Sequence, residues 1–518
     1  MADTSYPKTS PLAIVDSTAL SQGGFSGIAG SALDTGDLRR RYDFSERFSE
    51  LALSQTPFFR LVSTLAKKPT DDPQFKYTEK RHSFMKRYVY VVGFNNGTTD
   101  VFTSADIKDT SDAPITAANQ SVELFVASDY YSAGNIQNIQ GNSNTEIHVG
   151  DAGTAPEFLM PNQILKVPVS DTDGGGAVKD YILVRIDVVG AQEAADLSGG
   201  GGSATAEVRK VEATVLKAAN NSTANIYLAS FSGDDPVCEV YNLDIAENLE
   251  GKRTMVVGTS YAEGSSLLNK SWKDNPYSTG YGQTQIFRTE FGMTNTARAT
   301  ALKYEPNEWA RTWKEKLIEH KWDIEHAGLF SSQMSDSAGI QHTQGAVDYV
   351  LNYGNIFSWT SGKSIDDFLQ DMSQYQDPRY NSDKATVFLC STEVYTWLHK
   401  LGGFFGNNIN IDGQFRADLA VTGRKKVMGL DVTTISTVYG DLNVSRCIAL
   451  DGSHVKILAV NMNNVKYRPL VANGVNRDTS IYVGVQTLEN SGIDKRVDMI
   501  LTEAGFEFMM PESHAIWY

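Results

Sequence analysis

The sequence predicts an α+β fold, and three observations predict it. Residues 305–330 have helical spacing with apolar side chains on two faces. Residues 95–250 break into short β-prone runs separated by Gly, Asn, Asp and Ser clusters. Beyond residue 350, helical and strand patterns alternate before the chain closes on strands. At 518 residues the chain exceeds one ordinary core, and roughly two to four compact units are expected.

Residues 1–45 are rich in Ser, Gly, Ala and Thr without a sustained period, and read as an extended arm. Phe44, Phe48, Leu51 and Leu53 then give a short amphipathic helix broken near Pro57, with a second helical piece before Pro69. Residues 46–70 should therefore pack as short helices on a larger domain. FKYTEKRHSFMKRYVYVVGF is basic and aromatic, alternates through Tyr88 and Tyr90, and reads as a strand or ribbon.

Between residues 95 and 250 the runs SVELFVAS, ILKVPV, DYILVRIDVV and ATVLKA read as strands of an inserted β-rich domain. DTDGGG and LSGGGGSA sit between them as hairpin tips or flexible links.

At ~100° per residue, Trp309, Trp313, Leu317, Ile324 and Ala327 share one stripe of the long helix, with Ile318, Trp322 and Leu329 nearly opposite. Lys314, Lys316, Glu319, Lys321 and Asp323 fill the strips between. A rod clamped between its own domain and another surface satisfies this pattern; a buried helix in a large enzyme is the alternative. Pro306 fits the first helical turn, and Gly328 is a candidate for fraying or ending the last.

Farther on, SIDDFLQDMSQY is helical, KATVFLCS is a buried strand, and STEVYTWLHKLGG is a helix with a Ser-Thr-Glu start and a glycine end. VMGLDVTTIS, RCIALDG, HVKILAV, YVGVQTLE and VDMILTEAGFEFMM read as successive strands, with VANGVNRDTS as a long polar loop.

Composition excludes several functions. A net charge of -16 disfavours sequence-independent nucleic-acid binding, which needs Lys and Arg to replace counterions on phosphates. Cys238, Cys390 and Cys447 are too few and too far apart for a disulfide framework or a zinc site, so reduced cytoplasmic synthesis is expected. No run is long and apolar enough to span a membrane, and no secretory signal is expected at the N-terminus.

Catalytic and cofactor signatures are not found in the sequence. His320 and His326 flank acidic residues in EHKWDIEH, but a zinc helix places its histidines about four residues apart on one face, whereas these fall roughly 120° apart. His82, His148, His342, His399, His454 and His514 have no neighbour at ligand spacing. No phosphate loop and no Gly-x-Ser-x-Gly elbow occurs, and the glycine clusters lack a following helix. No catalytic, cofactor-binding or metal residue is assigned.

The order of pieces, with STGYGQTQIFRTEFGMTNTARA leading into the helix that ends EHKWDIEHAGLF, then FLCSTEVYTWLHKLGG and the closing FEFMMPESHAIWY, resembles the major capsid proteins of tailed bacteriophages. The resemblance implies a Hong Kong 97-type fold: an arm at 1–45; short helices at 46–70; an extended loop or ribbon at 71–94 and 251–285; the insertion at 95–250. It also implies a peripheral domain at 286–350 and 485–518 carrying the spine helix, and an axial domain at 351–484. The function implied is assembly of copies, as hexamers and pentamers, into an icosahedral head shell that encloses double-stranded DNA without sequence-specific binding. Portal, scaffolding and decoration proteins are the implied partners, and the virion capsid the location.

Within that setting, Lys80, Arg81, Lys86 and Arg87 on the ribbon, Arg39, Arg40 and Arg41 in the arm, and Trp322 on the second helix face are the candidate assembly contacts. Solvated surface charge is the plainer reading of the basic residues. Two other functions stay open: a β-rich carbohydrate-binding protein or glycan-acting enzyme, motivated by the insertion, and a cellular nanocompartment shell of the same fold.

Overall fold

The computed structural model describes residues 56–80, 87–128, 155–171, 176–196, 205–219, 226–232, 237–238, 251–265, 277–300, 307–360, 362–376, 378, 381, 386–398, 420–427, 430–437 and 439–518. The chain divides into two units, residues 1–53 with 296–311, and residues 54–295 with 312–518. In the described part of the first unit, the Arg298 guanidinium lies 5.3 Å from the Trp309 ring, and the Asn307 side chain accepts the Ala310 N–H at 3.1 Å. All of the rest belongs to the second unit.

The first described element is the helix Pro57–Leu65, which buries Phe58, Leu61 and Val62. The expected break at Pro57 is instead this helix's start, because proline at the first position loses no hydrogen bond there. The amphipathic helix expected from Phe44 to Leu53 lies outside the described residues.

A two-stranded antiparallel ribbon follows, Gln74–Glu79 against Ser278–Gln283. Phe75 faces Gly282 and Tyr77 faces Gly280. Each ring covers the glycine opposite, and any side chain at Gly280 or Gly282 would collide with it.

Tyr88–Asn95 and Thr254–Thr259, expected in the ribbon, belong instead to an eight-stranded sheet. Seven of the residues in YVYVVGFN are buried, so this is a doubly covered strand. In the sheet, Tyr88–Asn95, Ser121–Ala127, Thr205–Lys217, Asp180–Asp196 and Gln163–Ser170 pair in succession. Thr254–Thr259 pairs with both Gln163–Ser170 and Tyr88–Asn95, closing a six-stranded barrel. Closure leaves no edge to template aggregation. Leu165, Val167, Val169, Ile182, Val184 and Ile186 alternate into its core, while Lys166, Tyr181, Lys210 and Glu123 face outward.

The long helix runs Glu308–Phe330 and packs on a four-stranded sheet. In that sheet, Lys495–Phe508 is flanked by Gln285–Thr294 on one side, and by Val465–Pro469 and Ser480–Gln486 on the other. Gly328 does not end the helix: it lets the rings of Phe506 and Phe58 approach where a side chain would clash. Val465–Pro469 therefore pairs outside the stretch expected to be axial.

The remaining sheet has seven strands in the order Asn355–Phe357, Ala515–Trp517, Ile457–Asn461, Thr386–Cys390, Asp441–Arg446, Leu430–Ser436, Ala420–Val427. Helix Ile365–Tyr375, closed by a Ser364/Asp367 capping box, covers one face with Phe368, Met372 and Tyr375. The final strand Ala515–Trp517 sits inside this sheet rather than returning to the four-stranded one, because Ile516 and Trp517 are apolar on both faces. In RCIALDG, Ile448–Leu450 is a 3-10 turn and the strand is Asp441–Arg446. VANGVNRDTS contains a small hairpin, Val471–Ala472 against Val475–Asn476, turned by Asn473 and Gly474 at φ 52° and 77°.

Candidate assembly surfaces

The ribbon root is clamped. Glu507 is buried and pairs with Lys466 at 3.2 Å and Arg468 at 3.4 Å, while the Arg468 guanidinium lies 5.0 Å from the Phe75 ring. A carboxylate shared by two cations tolerates burial. Glu79, the last strand residue before the ribbon leaves the sheet, accepts the Met510 N–H at 2.8 Å. Met510 has φ 50°, a conformation that costs about 1–3 kcal/mol and needs such support. Just beyond, the Lys80 ammonium lies 5.1 Å from the Tyr277 ring. Arg87 is exposed at the barrel entry, and its carbonyl accepts the Val256 N–H at 3.0 Å. Lys80 and Arg87 therefore adjoin strands of two different sheets. Arg39, Arg40, Arg41, Arg81 and Lys86 lie outside the described residues.

Between the ribbon and helix Ala346–Tyr353 runs a trough of about 420 Å³, floored by Phe506 and Phe508. Asp348 on its helix side accepts from Ser332 at 2.9 Å and Gln344 at 2.7 Å. Burial, then the neighbouring Glu79 and Glu507 carboxylates, push the Tyr77 hydroxyl well above its ordinary pKa.

The long helix has one deep face and one shallow one. His320, Ile324, Glu325, Gly328 and Leu329 are buried, whereas Trp309, Trp313, Leu317, Ile318 and Trp322 are half-buried. The expected stripes thus meet near the C-terminal end, where helix Pro57–Leu65 covers Glu325 and the cluster around Leu329. Trp322, His326 and Phe330 line up in a row of tilted rings, with centres 5.3 and 6.0 Å apart.

His320 sits between the hydroxyls of Thr289 and Thr502 at 2.9 and 2.8 Å, and burial lowers its pKa to about 4. Both ring nitrogens are used in joining the helix to two strands. His326 is exposed and lies between the Trp322 and Phe330 rings in tilted contact. Among the described residues, no group of three or more His, Cys, Asp or Glu side chains is placed to hold a metal ion. Among them, too, no helix is long and apolar enough to cross a membrane.

The other exposed feature is the strand Ser480–Gln486. Ile481, Tyr482, Val483 and Val485 all project into solvent, Val483 at 64% exposure. It is fixed from within: Asp498, held by Arg496 at 3.0 Å, accepts the Gly484 N–H at 2.7 Å. It is an ordered strand whose apolar side chains are left open. Sequence reading found the strand but not its exposure. It missed Glu325, Glu507 and Arg468 too, whose partners are distant in sequence.

The profile described as SU10 major capsid protein matches residues 186–517, well over half of the chain. The chain belongs to the SU10 major capsid protein family. This capsid protein is a structural subunit of a tailed-phage head shell, built from many copies of itself and located in the virion capsid. Its structure is similar to that of Microbacterium phage Oxtober96 (12% identity, 50% of this chain and 80% of that chain, TM-score 0.34). It is similar also to the capsid of Cyanophage P-SCSP1u (10%, 51% and 80%, 0.32) and the holo-SrpI encapsulin complex of Synechococcus elongatus (9%, 47% and 76%, 0.32). No curated protein matches the chain.

Proposed function

We propose that this capsid protein builds an icosahedral shell of hexamers and pentamers in which the ribbon reaches a neighbour and the barrel stands as an added domain on the ribbon. The long helix and four-stranded sheet form the peripheral domain of the Hong Kong 97-type fold; the seven-stranded sheet and its helices form the axial domain. The observation that carries this reading is the ribbon root, where the Glu507–Lys466–Arg468 clamp, the Phe75 ring and the Glu79–Met510 contact fix the direction of a two-stranded arm. A rigid lever adds contact area without thickening the wall, and repetition under symmetry lets individually modest contacts close a stable container.

Lys80, Arg81, Lys86 and Arg87 dock on acidic surface of an adjacent subunit, as a net charge of -16 makes such surface abundant. Mild repulsion suits a wall that encloses double-stranded DNA without binding it in patches. A scaffolding protein guides closure, a portal occupies one vertex, and a decoration protein is the partner expected for the outer surface.

Co-expression with the scaffolding protein followed by negative-stain imaging tests the reading. Regular DNA-competent shells are expected, and a Lys86→Glu/Arg87→Glu variant should yield folded subunits without shells. A persistent wild-type monomer refutes the shell reading; normal shells from the variant refute the docking of Lys86 and Arg87 on a neighbour. Particles loaded with protein rather than DNA identify a nanocompartment instead.

A further inference from the structure

The trough beside the ribbon root carries a chemistry that the clamp does not use. Its ribbon wall presents Tyr77, Glu79 and Tyr281, and its helix wall presents Asp348, Tyr349 and Tyr353. Among the described residues lining it there is no Lys or Arg. Tyr281 and Tyr353 are exposed, and the Glu79 and Asp348 carboxylates lie in the two facing walls.

Tyrosine faces and carboxylates together select a guanidinium, which stacks flat on rings while its fork donates to oxygen. Tyr and Arg are also the residue types that dominate interface energetics. A cavity of about 420 Å³ admits side chains of an extended segment but not a folded domain.

The chain itself supplies such a segment. Arg39, Arg40 and Arg41 precede the first described residue, Thr56, by a stretch that spans on the order of 50 Å when extended. Because each subunit is strongly acidic, close packing of copies needs local cationic contacts to offset repulsion, and Arg39–Arg41 is the one run of three consecutive arginines in the sequence.

We propose that the trough is a socket for the Arg39–Arg41 run of a second copy of this chain, so that each subunit's ribbon root is pinned by a neighbour's N-terminal segment. The inference rests on the shell reading above and names one of its contacts.

Co-assembly of two single variants, Arg40→Cys and Tyr353→Cys, tests it. After mild oxidation, mixed shells should give a cross-linked dimer on a non-reducing gel, absent from shells of either variant alone. Mixed shells of normal form without that dimer overturn the proposal while leaving the shell reading intact. If the double variant gives only an internally looped monomer, the chain's own segment fills the trough and the assignment to a second copy is overturned. Failure of the wild-type chain to form shells refutes the shell reading first.

A second measurement needs no shells. A labelled peptide of residues 36–47 should bind unassembled full-length chain carrying Arg39→Ala/Arg40→Ala/Arg41→Ala, and Asp348→Lys should weaken that binding at least tenfold. No binding, or equal binding to the Asp348→Lys chain, overturns the proposal.

Discussion

The carboxylate of Glu325 accepts the backbone N–H groups of Phe58 at 3.0 Å and Phe59 at 2.5 Å, so the long helix caps the helix Pro57–Leu65. Thr56, at the cap position, makes no side-chain cap bond. The first helix of the second unit thus depends on a residue far away in sequence. Glu325→Ala should strip two buried donors of their acceptor and lower subunit stability by about 1–3 kcal/mol. Glu325→Gln, which keeps one oxygen and the volume, should cost less. Urea unfolding of unassembled subunits checks both, and equal losses would mean that packing, not capping, carries the effect.

The same carboxyl opposes two histidines in its pH dependence. Burial raises the Glu325 pKa from 4.5 to about 7, the bonds from Phe59 and Phe58 only partly offsetting it. Its contribution is therefore full below 4.5 and is lost as pH rises towards 7. Burial lowers His320 and His514 from 6.5 to about 4, and both are fully buried. Their contribution is full above 6.5 and is lost as pH falls towards 4, on the order of 3 kcal/mol each. Two groups outweigh one, so subunit stability should fall on acidification from 6.5 to 4.5. His320→Gln should flatten that slope, and Glu325→Gln should steepen it. Unfolding free energies measured across this window decide the matter; an unchanged slope in both variants would show that neither group titrates on unfolding.

Periodicity revealed most of the architecture because a helix or strand announces itself locally. Ser364 to Tyr375 reads as a helix by its spacing, and Thr386 to Cys390 as a buried strand by its apolar run. Partners were not legible. Tyr88 to Asn95 was read as ribbon because alternation cannot distinguish a free strand from one covered on both sides. The cap expected from Ser391 is supplied by Asp451, which accepts the Thr392 N–H at 2.6 Å. The candidate contact Trp322 was found from its place on the helix, but the trough and the clamp join residues hundreds of positions apart, which no local window registers.

The closing strand makes a separate prediction about folding. Trp517 is fully buried, stacks on Phe357 at 4.9 Å, and donates from Nε1 to Asp371 at 2.9 Å, while Lys363 neutralises that carboxylate at 2.5 Å. It stands at the centre of an aromatic core with Phe368, Tyr375 and Phe388. Trp517→Ala should cost about 3–5 kcal/mol, and Trp517→Phe less, because it empties less volume and leaves only Asp371 short of a donor. Removing residues 515–518 should leave Asn355–Phe357 and Ile457–Asn461 without the strand between them and yield insoluble chain. Circular dichroism and solubility of these three variants test the order, and a soluble, cooperatively folding truncation would contradict it.

The strand Ser480–Gln486 separates folding from assembly most cleanly. Val483 and Val485 point outward, and the Asp498 bond to Gly484 holds the backbone without them. Val483→Asp/Val485→Asp should therefore change subunit stability by less than about 0.5 kcal/mol, as surface substitutions do. Burying two new carboxylates at a contact between copies would be far more costly. Assembly yield should consequently fall at least tenfold while the unfolding midpoint of the free subunit stays put. Val483→Ala/Val485→Ala, which removes apolar area without adding charge, should give an intermediate yield. Wild-type yields from the Asp variant would show that this strand faces solvent in the finished shell, leaving the ribbon and its root as the contacts that matter.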